Sequence, residues 1–216
     1  MTEPAFTSTT SPVVDHIRAG EFPALTEDVT IAITQVLVAG AVLGRITVGV
    51  ATALAAAGNT GNGVISAITT GAGAKVGVYK AIAFAVAANL GRFTIEDPDG
   101  ITIGTVNVGV AFAGAIGFTI SDGSADFIAG DTFNITVAAG SGQYLLSVAA
   151  AIDGSQIATR ILAKAINTTA AAAKAPIYAT GEFDSARLTF GAGHTAATVR
   201  TTLRAENIYL RDVLAD

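Results

Sequence analysis

Short stretches in which apolar and polar residues alternate, separated by glycine, aspartate and asparagine, dominate residues 76 to 137. Side chains two positions apart lie on the same face of a β-strand, so this period indicates about six short strands. The apolar positions are Val76, Val78, Ile82, Phe84 and Val86; Phe93 and Ile95; Ile101 and Ile103; Val106, Val108 and Val110; Phe118 and Ile120; and Phe133, Ile135 and Val137. Strands at this density predict an all-β sandwich or small barrel. The apolar phase changes across Gly104, which predicts a bulge or a turn there.

The composition limits which kinds of protein this chain can be. Among its 216 residues there is no cysteine, which excludes disulfides, thiolate zinc sites and cysteine nucleophiles. Hydrophobic residues make up 51% and charged residues only 13%, so we expect much of the surface to be buried against partners. The net charge of −5 argues against a nucleic-acid partner, which normally needs clustered lysine and arginine.

No apolar run in the sequence is long enough to cross a bilayer, since spanning needs about 20 consecutive apolar residues. The first twenty residues lack a basic start followed by an apolar core, so they do not match a secretory signal. We therefore expect no membrane association and a protein that stays in the cell that made it.

The first 20 residues are rich in Thr, Ser and Pro and show no apolar period, which predicts a flexible arm. Five apolar residues lie among the small polar ones: Phe6, Pro12, Val13, Val14 and Ile17. Such a segment can add an extended strand to the open sheet edge of a partner. The alternative, a tail with no binding role, stays open at this point.

The segments on either side of the middle region have a different pattern of apolar and polar residues. Residues 29–34 alternate as a strand, and residues 36–47 read as a strand, a turn and a second strand. Near the carboxyl end we expect two strands joined at Asp184 and Ser185, then a helix and a terminal strand. The helix is predicted to begin at Thr195 as its N-cap. The change of texture after residue 47 places a domain boundary near residues 52–60.

His194 is the residue that most suggests chemistry, because it lies between a glycine turn and the predicted helix. The other histidine, His16, lies in the predicted arm, and no nucleophile elbow accompanies either one. The "GAGH" turn also lacks the lysine of a phosphate-binding loop. We therefore interpret His194 as a turn residue, and predict no catalytic residue and no cofactor.

Two aspartates in "EDPDG", Asp97 and Asp99, imitate the start of a calcium loop. The remaining oxygen ligands and the closing glutamate of such a loop are absent, whereas Pro-Asp-Gly is a strong turn signal. Asp122, Asp126 and Asp131 also lie in glycine-containing turns. We predict turns at these positions and no metal site.

Several segments near both ends together resemble the head decoration protein D family of tailed bacteriophages. In the carboxyl-terminal third these are "KAPIYATGEF", "LTFGAGH" and "TLRAENIYLRD"; nearer the amino terminus they are "GEFP", "VTIA" and "GAVLGRIT". The resemblance covers roughly residues 20–50 and 142–214. The middle of the chain is similar in texture to β-rich inserts of phage and prophage structural proteins.

This resemblance implies a virion structural protein that binds the major capsid protein on the outside of the expanded capsid. It further implies a homotrimer that stabilises the capsid against the pressure of its DNA and assembles in the host cytoplasm. In the family the N-terminal arm orders on the capsid, which would make the five apolar arm residues capsid contacts. An enzyme, a nucleic-acid partner and a membrane partner are not implied.

We thus expect a mainly β fold with minor α structure, divided into three parts. Residues 1–20 are the arm, residues 21–55 and 140–216 a discontinuous decoration domain, and residues 56–139 an inserted Ig-like β-sandwich. The insert is expected to contact neighbouring trimers or the host surface. An alternative function, a tail or tube protein or an adhesin that binds the host or glycans through the insert, stays open; exposed aromatic residues would favour the adhesin, and the chain has no tryptophan.

Overall fold

A computed structural model describes residues 17–212 of the chain. The fold is mainly β, as predicted, with 48% strand and 7% helix. The strands are β1 Thr26–Ile31, β2 Val36–Leu37, β3 Val42–Arg45, β4 Val48–Ala55, β5 Val64–Thr70, β6 Gly77–Ala87, β7 Leu90–Glu96, β8 Thr102–Asn107, β9 Ala111–Phe112, β10 Ile116–Ser121, β11 Thr132–Ala139, β12 Tyr144–Leu146, β13 Ala158–Leu162, β14 Ile166–Asn167, β15 Ala173–Tyr178, β16 Gly181–Asp184 and β17 Ile208–Arg211. One α-helix, α1 Ala196–Ala205, lies within the described residues. No helix in this part of the chain has the length and apolar character to span a membrane.

Strands from both ends of the chain form a closed barrel, in the order β1-β12-β3-β13-β15 with β15 pairing back to β1. Its interior is mostly aliphatic and includes Ile31, Leu43, Leu162 and Ile177, none of which is exposed. A barrel removes free sheet edges because every strand has two neighbours.

Helix α1 packs against one side of the barrel, and its N-cap is the predicted one. Thr195 is its N-cap, and the Thr195 and Thr198 side chains each accept a hydrogen bond from the backbone N–H of the other. Val199 and Leu203 are buried in a second core cluster with residues of β13, β16 and β17. Strand β17 follows the helix and pairs in parallel with β16, which confirms the predicted terminal strand.

The middle region forms two sheets, with strand orders β4-β11-β6-β7-β8 and β5-β10-β9. Both sheets contribute to one core, because Phe93 and Phe133 of the first sheet belong to the same buried cluster as Phe118 of the second. The Phe127 ring, from the loop before β11, lies 5.0 Å from the Phe93 ring in an edge-to-face arrangement. We call strands β4 to β11 the two-sheet unit.

The strand predicted from Val76 to Val86 is present as β6, but the predicted apolar positions do not form its buried face. Tyr79, Ala81 and Ala83 point into the core, whereas Val78 and Phe84 are 42% and 46% exposed. Ala81 pairs across the sheet with Phe133, and Ala83 with Phe93. Because these phenylalanine rings fill the space next to positions 81 and 83, only small residues fit at those two positions.

The predicted irregularity at Gly104 is confirmed as a bulge in β8. Ile95 lies opposite Gly104 while the next residue, Glu96, lies opposite Thr102, so Ile103 is an extra residue without a partner. A bulge of this kind bends the strand and shifts which residues face the core.

The two-sheet unit begins at Val48, because β4 pairs with β11 and not with a barrel strand. The two connecting chains are themselves paired. Ile46 N–H donates to the Gln143 carbonyl at 2.9 Å, and Gly140 N–H donates to the Thr47 carbonyl at 2.9 Å. Strands β3 and β4 therefore continue into each other beside β11 and β12, as one two-stranded ribbon that joins barrel and two-sheet unit. The Asp153 carbonyl accepts from both the Thr47 and Val48 N–H groups at 2.8 and 2.9 Å.

Candidate partner-binding site at the base of the N-terminal segment

The first described residues form a short strand against β16. The Asp184 N–H donates to the Ile17 carbonyl, and the Ala19 N–H donates to the Glu182 carbonyl, both at 2.9 Å. Ile17 is 9% exposed and belongs to the same core cluster as Leu203. The start of the described chain is therefore held by both backbone pairing and side-chain burial.

Gly20 allows the chain to turn away from β16 directly after this short strand. Its φ of +126° is a conformation that residues with a side chain rarely adopt. A Cβ atom at this position would also overlap the Glu182 carboxylate. The turn leads to Phe22, whose ring lies 5.1 Å from the Tyr209 ring in an edge-to-face contact. A residue other than glycine would push Glu182 out of its place.

Charged side chains surround this base. Arg211 pairs with Glu182 at 2.5 Å, and Arg187 pairs with Asp184 at 3.3 Å. The hydrogen bond from Arg211, opposed in part by burial, lowers the pKa of the Glu182 carboxyl below its ordinary value. Arg18 lines the same open cavity of about 490 Å³ and makes no ion pair with another described residue. The cavity thus has three arginines against two carboxylates, which suits an acidic group of a partner.

The face next to this base, formed by α1 and β17, is also cationic. Arg200 donates to both oxygens of Asp212 at 3.1 Å and to the Leu210 carbonyl at 3.1 Å. Hydrogen bonds from Ser185 and then from Arg200 lower the pKa of the Asp212 carboxyl. Arg204 makes no ion pair within residues 17–212 and lines a cavity of about 520 Å³ beside Arg200. Arg200 is half-buried and Arg204 is exposed.

His194 lies in the turn before α1, as predicted. Its Nε2 atom is 3.2 Å from Ser147 Oγ and 3.1 Å from the Gln156 carbonyl oxygen. Ser147 Oγ itself donates to the Ser155 carbonyl at 2.8 Å, so its lone pairs face the histidine. These contacts indicate that Nε2 carries the proton and that His194 ties the turn to the loop before β13.

The aspartates that imitate a calcium loop form a turn. Asp97 Oδ1 accepts from the N–H groups of Asp99 and Ile101 at 3.0 and 2.9 Å. Lys75 Nζ lies 2.5 Å from a carboxylate oxygen of Asp97 and of Asp99. The hydrogen bond from Lys75, with those from the backbone, lowers the pKa of the Asp97 carboxyl. The predicted Pro-Asp-Gly turn is confirmed.

Of the five arm residues predicted to contact a capsid, Ile17 lies in the core of the domain. Phe6, Pro12, Val13 and Val14 lie outside the described residues, so their role stays a prediction. The sequence reasoning did not identify Gly20, Glu182 and Arg211 as parts of one site. The alternation of Glu182 and Asp184 is visible in the sequence. The pairing of β16 with a segment more than 160 positions earlier is not visible there.

The comparisons with known proteins decide the family. A sequence model described as "Bacteriophage lambda head decoration protein D" matches residues 17–207, which is most of the chain. The chain belongs to the bacteriophage lambda head decoration protein D family. The resemblance seen in the sequence motifs is therefore confirmed. The decoration-family match begins at Ile17, the residue that starts the short strand on β16.

Other comparisons add little to the decoration-family assignment. Two crystal structures of Xanthomonas campestris FlgL, in space groups H3 and C2, align at 23% identity with a TM-score of 0.32. Each alignment covers 46% of this chain and 33% of the FlgL chain, so only about a third of FlgL is matched. At this TM-score the alignment supports no inference about fold or function. No curated protein matches the chain.

Proposed function

We propose that this protein binds the major capsid protein on the outer surface of the expanded phage capsid, as a homotrimer, and stabilises the capsid against the pressure of the packaged DNA. Membership of the head decoration protein D family carries this proposal, since the match extends from residue 17 to residue 207. The protein acts as a structural component of the virion and needs neither nucleic acid nor a membrane as a partner.

The N-terminal segment makes the principal capsid contact. Its base is a strand on β16 whose position is fixed by two backbone hydrogen bonds and by the burial of Ile17. Upstream of it, Phe6, Pro12, Val13 and Val14 are the apolar contacts, and they bind as an extended strand added to the capsid protein. Ile17 anchors the segment to its own domain. The surplus of arginine at the base attracts acidic side chains of the capsid.

Stabilisation follows from mass action. A ligand that binds the expanded lattice, and not the form that precedes or follows it, lowers the free energy of the expanded state by an amount that grows with occupancy. In a trimer, three N-terminal segments bind neighbouring capsid subunits together, and each bound segment raises the effective concentration of the other two. Weak individual contacts are then sufficient.

Residues 48–139, the two-sheet unit, form the inserted domain of this protein, and residues 21–47 with 140–212 form the decoration domain. The sheet pairing supports these limits, because β4 hydrogen bonds to β11 while β3 hydrogen bonds to the barrel strands β12 and β13. The insert contacts neighbouring trimers or the host surface.

Co-sedimentation of the full chain with expanded, undecorated capsids tests the function itself. We expect saturation at about one chain per major capsid subunit, with decorated capsids retaining DNA under heating that empties undecorated ones. An intact, oligomeric protein that does not sediment with capsids would overturn the proposal and favour the tail or adhesin reading.

Two truncations then test the N-terminal segment. Removing residues 1–16 keeps Ile17 and its pairing with β16, so the domain should fold and form its oligomer but bind capsids at least about tenfold more weakly, since each tenfold corresponds to 1.4 kcal/mol. A matched control lacks only residues 1–4, before Phe6, and should bind as the full chain does. Equal binding by both truncated forms would show that the segment is not the capsid contact.

A further inference from the structure

The two-sheet unit has four sheet edges, and three of them carry features that hinder pairing with another chain. Strand β9 has only two residues, and β8 carries the bulge at Ile103. Strand β5 is interrupted by a register shift where Ala67 adopts a positive φ of 52°. Bulges and short strands are devices by which proteins protect edges from unwanted pairing.

Strand β4 forms the fourth edge and has none of these devices in its central part. It is eight residues long and contains no charged residue and no proline. Its one register shift lies at its start, opposite Val137 and Ala139. In the described part of the chain, β4 hydrogen bonds as a strand only with β11, and no strand pairs with its other side.

The open side presents a defined set of backbone groups. The Ala56 N–H donates to the Thr132 carbonyl of the neighbouring strand. Because successive residues of a strand point their N–H and C=O groups to opposite sides, the groups of Ala51, Ala53 and Ala55 face the open edge. They form a row of donors and acceptors that fits one further antiparallel strand.

The side chains of β4 read nearly the same in both directions about Thr52: Val50-Ala51-Thr52-Ala53-Leu54. Val50 and Leu54 are each 75% exposed on the outer face of the sheet. In an antiparallel pair related by a two-fold axis, residues equally far from the axis lie opposite each other. An axis at Thr52 therefore places Val50 against Leu54 of a second copy and Ala51 against Ala53.

We propose that β4 pairs antiparallel with β4 of a second copy of this chain, around a two-fold axis at Thr52, so that the five-stranded sheets of two copies become one continuous sheet. Ala51 and Ala53 exchange backbone hydrogen bonds with Ala53 and Ala51 of the second copy. The two Thr52 residues form a non-hydrogen-bonded pair, for which the Cα atoms lie about 4.5 Å apart. The near-palindrome identifies the partner strand as β4 itself, and the absence of charge in β4 removes repulsion between copies.

Contact through one strand buries far less than the roughly 1,200–2,000 Å² of a standard stable interface. Pairing is therefore weak and reversible in dilute solution. A larger fraction of the copies pairs where they are held close together, because the effective concentration of the partner strand is then high. This inference does not depend on capsid binding: β4 pairing and capsid binding use different residues and can fail separately.

Cysteine crosslinking gives a direct test, because the chain has no native cysteine. In a Thr52→Cys variant, the only thiol of each copy would face the same thiol of its partner at a Cα separation within the range of disulfides. Ser66→Cys is the matched control, since Ser66 is exposed on β5, the bulged edge of the other sheet. We expect a reducible dimer of Thr52→Cys to form at least about tenfold faster than that of Ser66→Cys, because paired strands hold the thiols at high effective concentration.

A second set of variants tests the same pairing without a crosslink. Val50→Lys with Leu54→Lys places like charges opposite each other at the proposed axis, whereas Val64→Lys places a single lysine on the bulged edge. Added to Thr52→Cys, the lysine pair should reduce dimer formation to the level of Ser66→Cys. In sedimentation velocity of the cysteine-free proteins, the lysine pair should remove a concentration-dependent association that Val64→Lys retains. Equal crosslinking by both cysteine variants, or association unchanged by the lysine pair, would overturn the proposal.

Discussion

The barrel and the two-sheet unit are both built from β-sheets, but they differ in how the sheets end and in what fills them. The barrel closes on itself, so none of its five strands presents an edge. Its interior is filled by aliphatic side chains such as Leu43 and Ile177. The two-sheet unit stays open at four edges and packs phenylalanine rings between its sheets. Closure gives every strand of the barrel two neighbours, whereas the two-sheet unit needs its loops to hold the sheets together.

Polar side chains in the loops of the two-sheet unit supply that support. The buried Asp131 carboxylate accepts hydrogen bonds from the backbone N–H groups of Thr60, Gly61 and Ile128 at 2.8 to 3.0 Å. The Asn59 side chain donates to the Thr132 carbonyl and accepts from the Thr132 N–H at 2.9 and 2.8 Å. The loop between β4 and β5, which lies next to the predicted domain boundary, is therefore hydrogen bonded to the start of β11.

The prediction with the largest expected effect concerns removal of the whole two-sheet unit. Deleting residues 48–139 and joining Thr47 to Gly140 through Asn-Gly should leave a barrel that folds and unfolds cooperatively, because these residues are already paired neighbours in the ribbon. Deleting residues 56–139 instead leaves β4 without β11, and this variant should aggregate. Circular dichroism and size-exclusion chromatography distinguish the two. An unfolded product from the first deletion would show that the barrel depends on the two-sheet unit.

Substitutions within each core test whether the two regions unfold separately. Phe133→Ala should destabilise the two-sheet unit by about 3–5 kcal/mol, and Leu43→Ala the barrel by about 2–5 kcal/mol, through loss of buried area and the cavity that remains. Both residues are almost fully buried, at 1% and 0% exposure. Because the core clusters share no residue, calorimetry should show two transitions, each lowered by its own substitution. One transition lowered by both substitutions would contradict this separation.

Asp131→Asn weakens the loop support without changing the core. Burial raises the pKa of the Asp131 carboxyl, but its three backbone hydrogen bonds outweigh burial and the net shift is downward. An amide can accept only through its oxygen, so its NH₂ group would face backbone N–H groups at a cost of about 1–3 kcal/mol. The matched control is Asp126→Asn, since Asp126 is exposed and accepts one such bond, from Asn89.

The same carboxylate predicts a pH dependence. A group whose pKa is lower in the folded state stabilises the fold above its unfolded pKa of about 3.9, and this stabilisation is lost as the pH falls through the folded value. The free energy of unfolding in urea should therefore decrease between pH 7 and pH 3. This decrease should be smaller for Asp131→Asn than for wild type. An equal loss in both proteins would exclude Asp131 as its source.

The smallest expected effect lies at the base of the N-terminal segment on the barrel. Gly20→Ala displaces the Glu182 carboxylate, and thereby the ion pair with Arg211, in addition to placing a side chain at positive φ. Gly73→Ala is the matched control in the two-sheet unit, because Gly73 also has a positive φ but has open space around it. We expect the Gly20 variant to lose about 1 kcal/mol more, the upper range for an exposed ion pair. Equal losses would show that Glu182 relaxes freely.

Local patterns in the sequence predicted much of the fold. The cap at Thr195 and the turn at Asp97 follow from interactions between near neighbours. The bulge near Gly104 could be predicted because a change of phase within one strand is visible in the sequence. These features need no knowledge of distant residues.

Features that depend on distant residues could not be predicted. In β6 the alternating residues mark a strand but not its buried face, because the choice of Ala81 and Ala83 for the core depends on Phe93 and Phe133 in other strands. Residues 48–55 were expected to belong to the decoration domain, and their pairing with β11, more than 75 positions later, is not visible in any local pattern. The site around Gly20 likewise requires β16, which lies 160 positions away.

The ribbon that joins the two regions has an engineering consequence. Its two strands leave the barrel side by side at Thr47 and Gly140, and the Asp153 carbonyl holds one of them in place. A foreign module whose own termini are adjacent strands can replace residues 48–139 without altering the register of any barrel strand. The junction is thus an insertion site for peptides or domains. A domain inserted there would project in a fixed direction and would be present once in every copy of the protein.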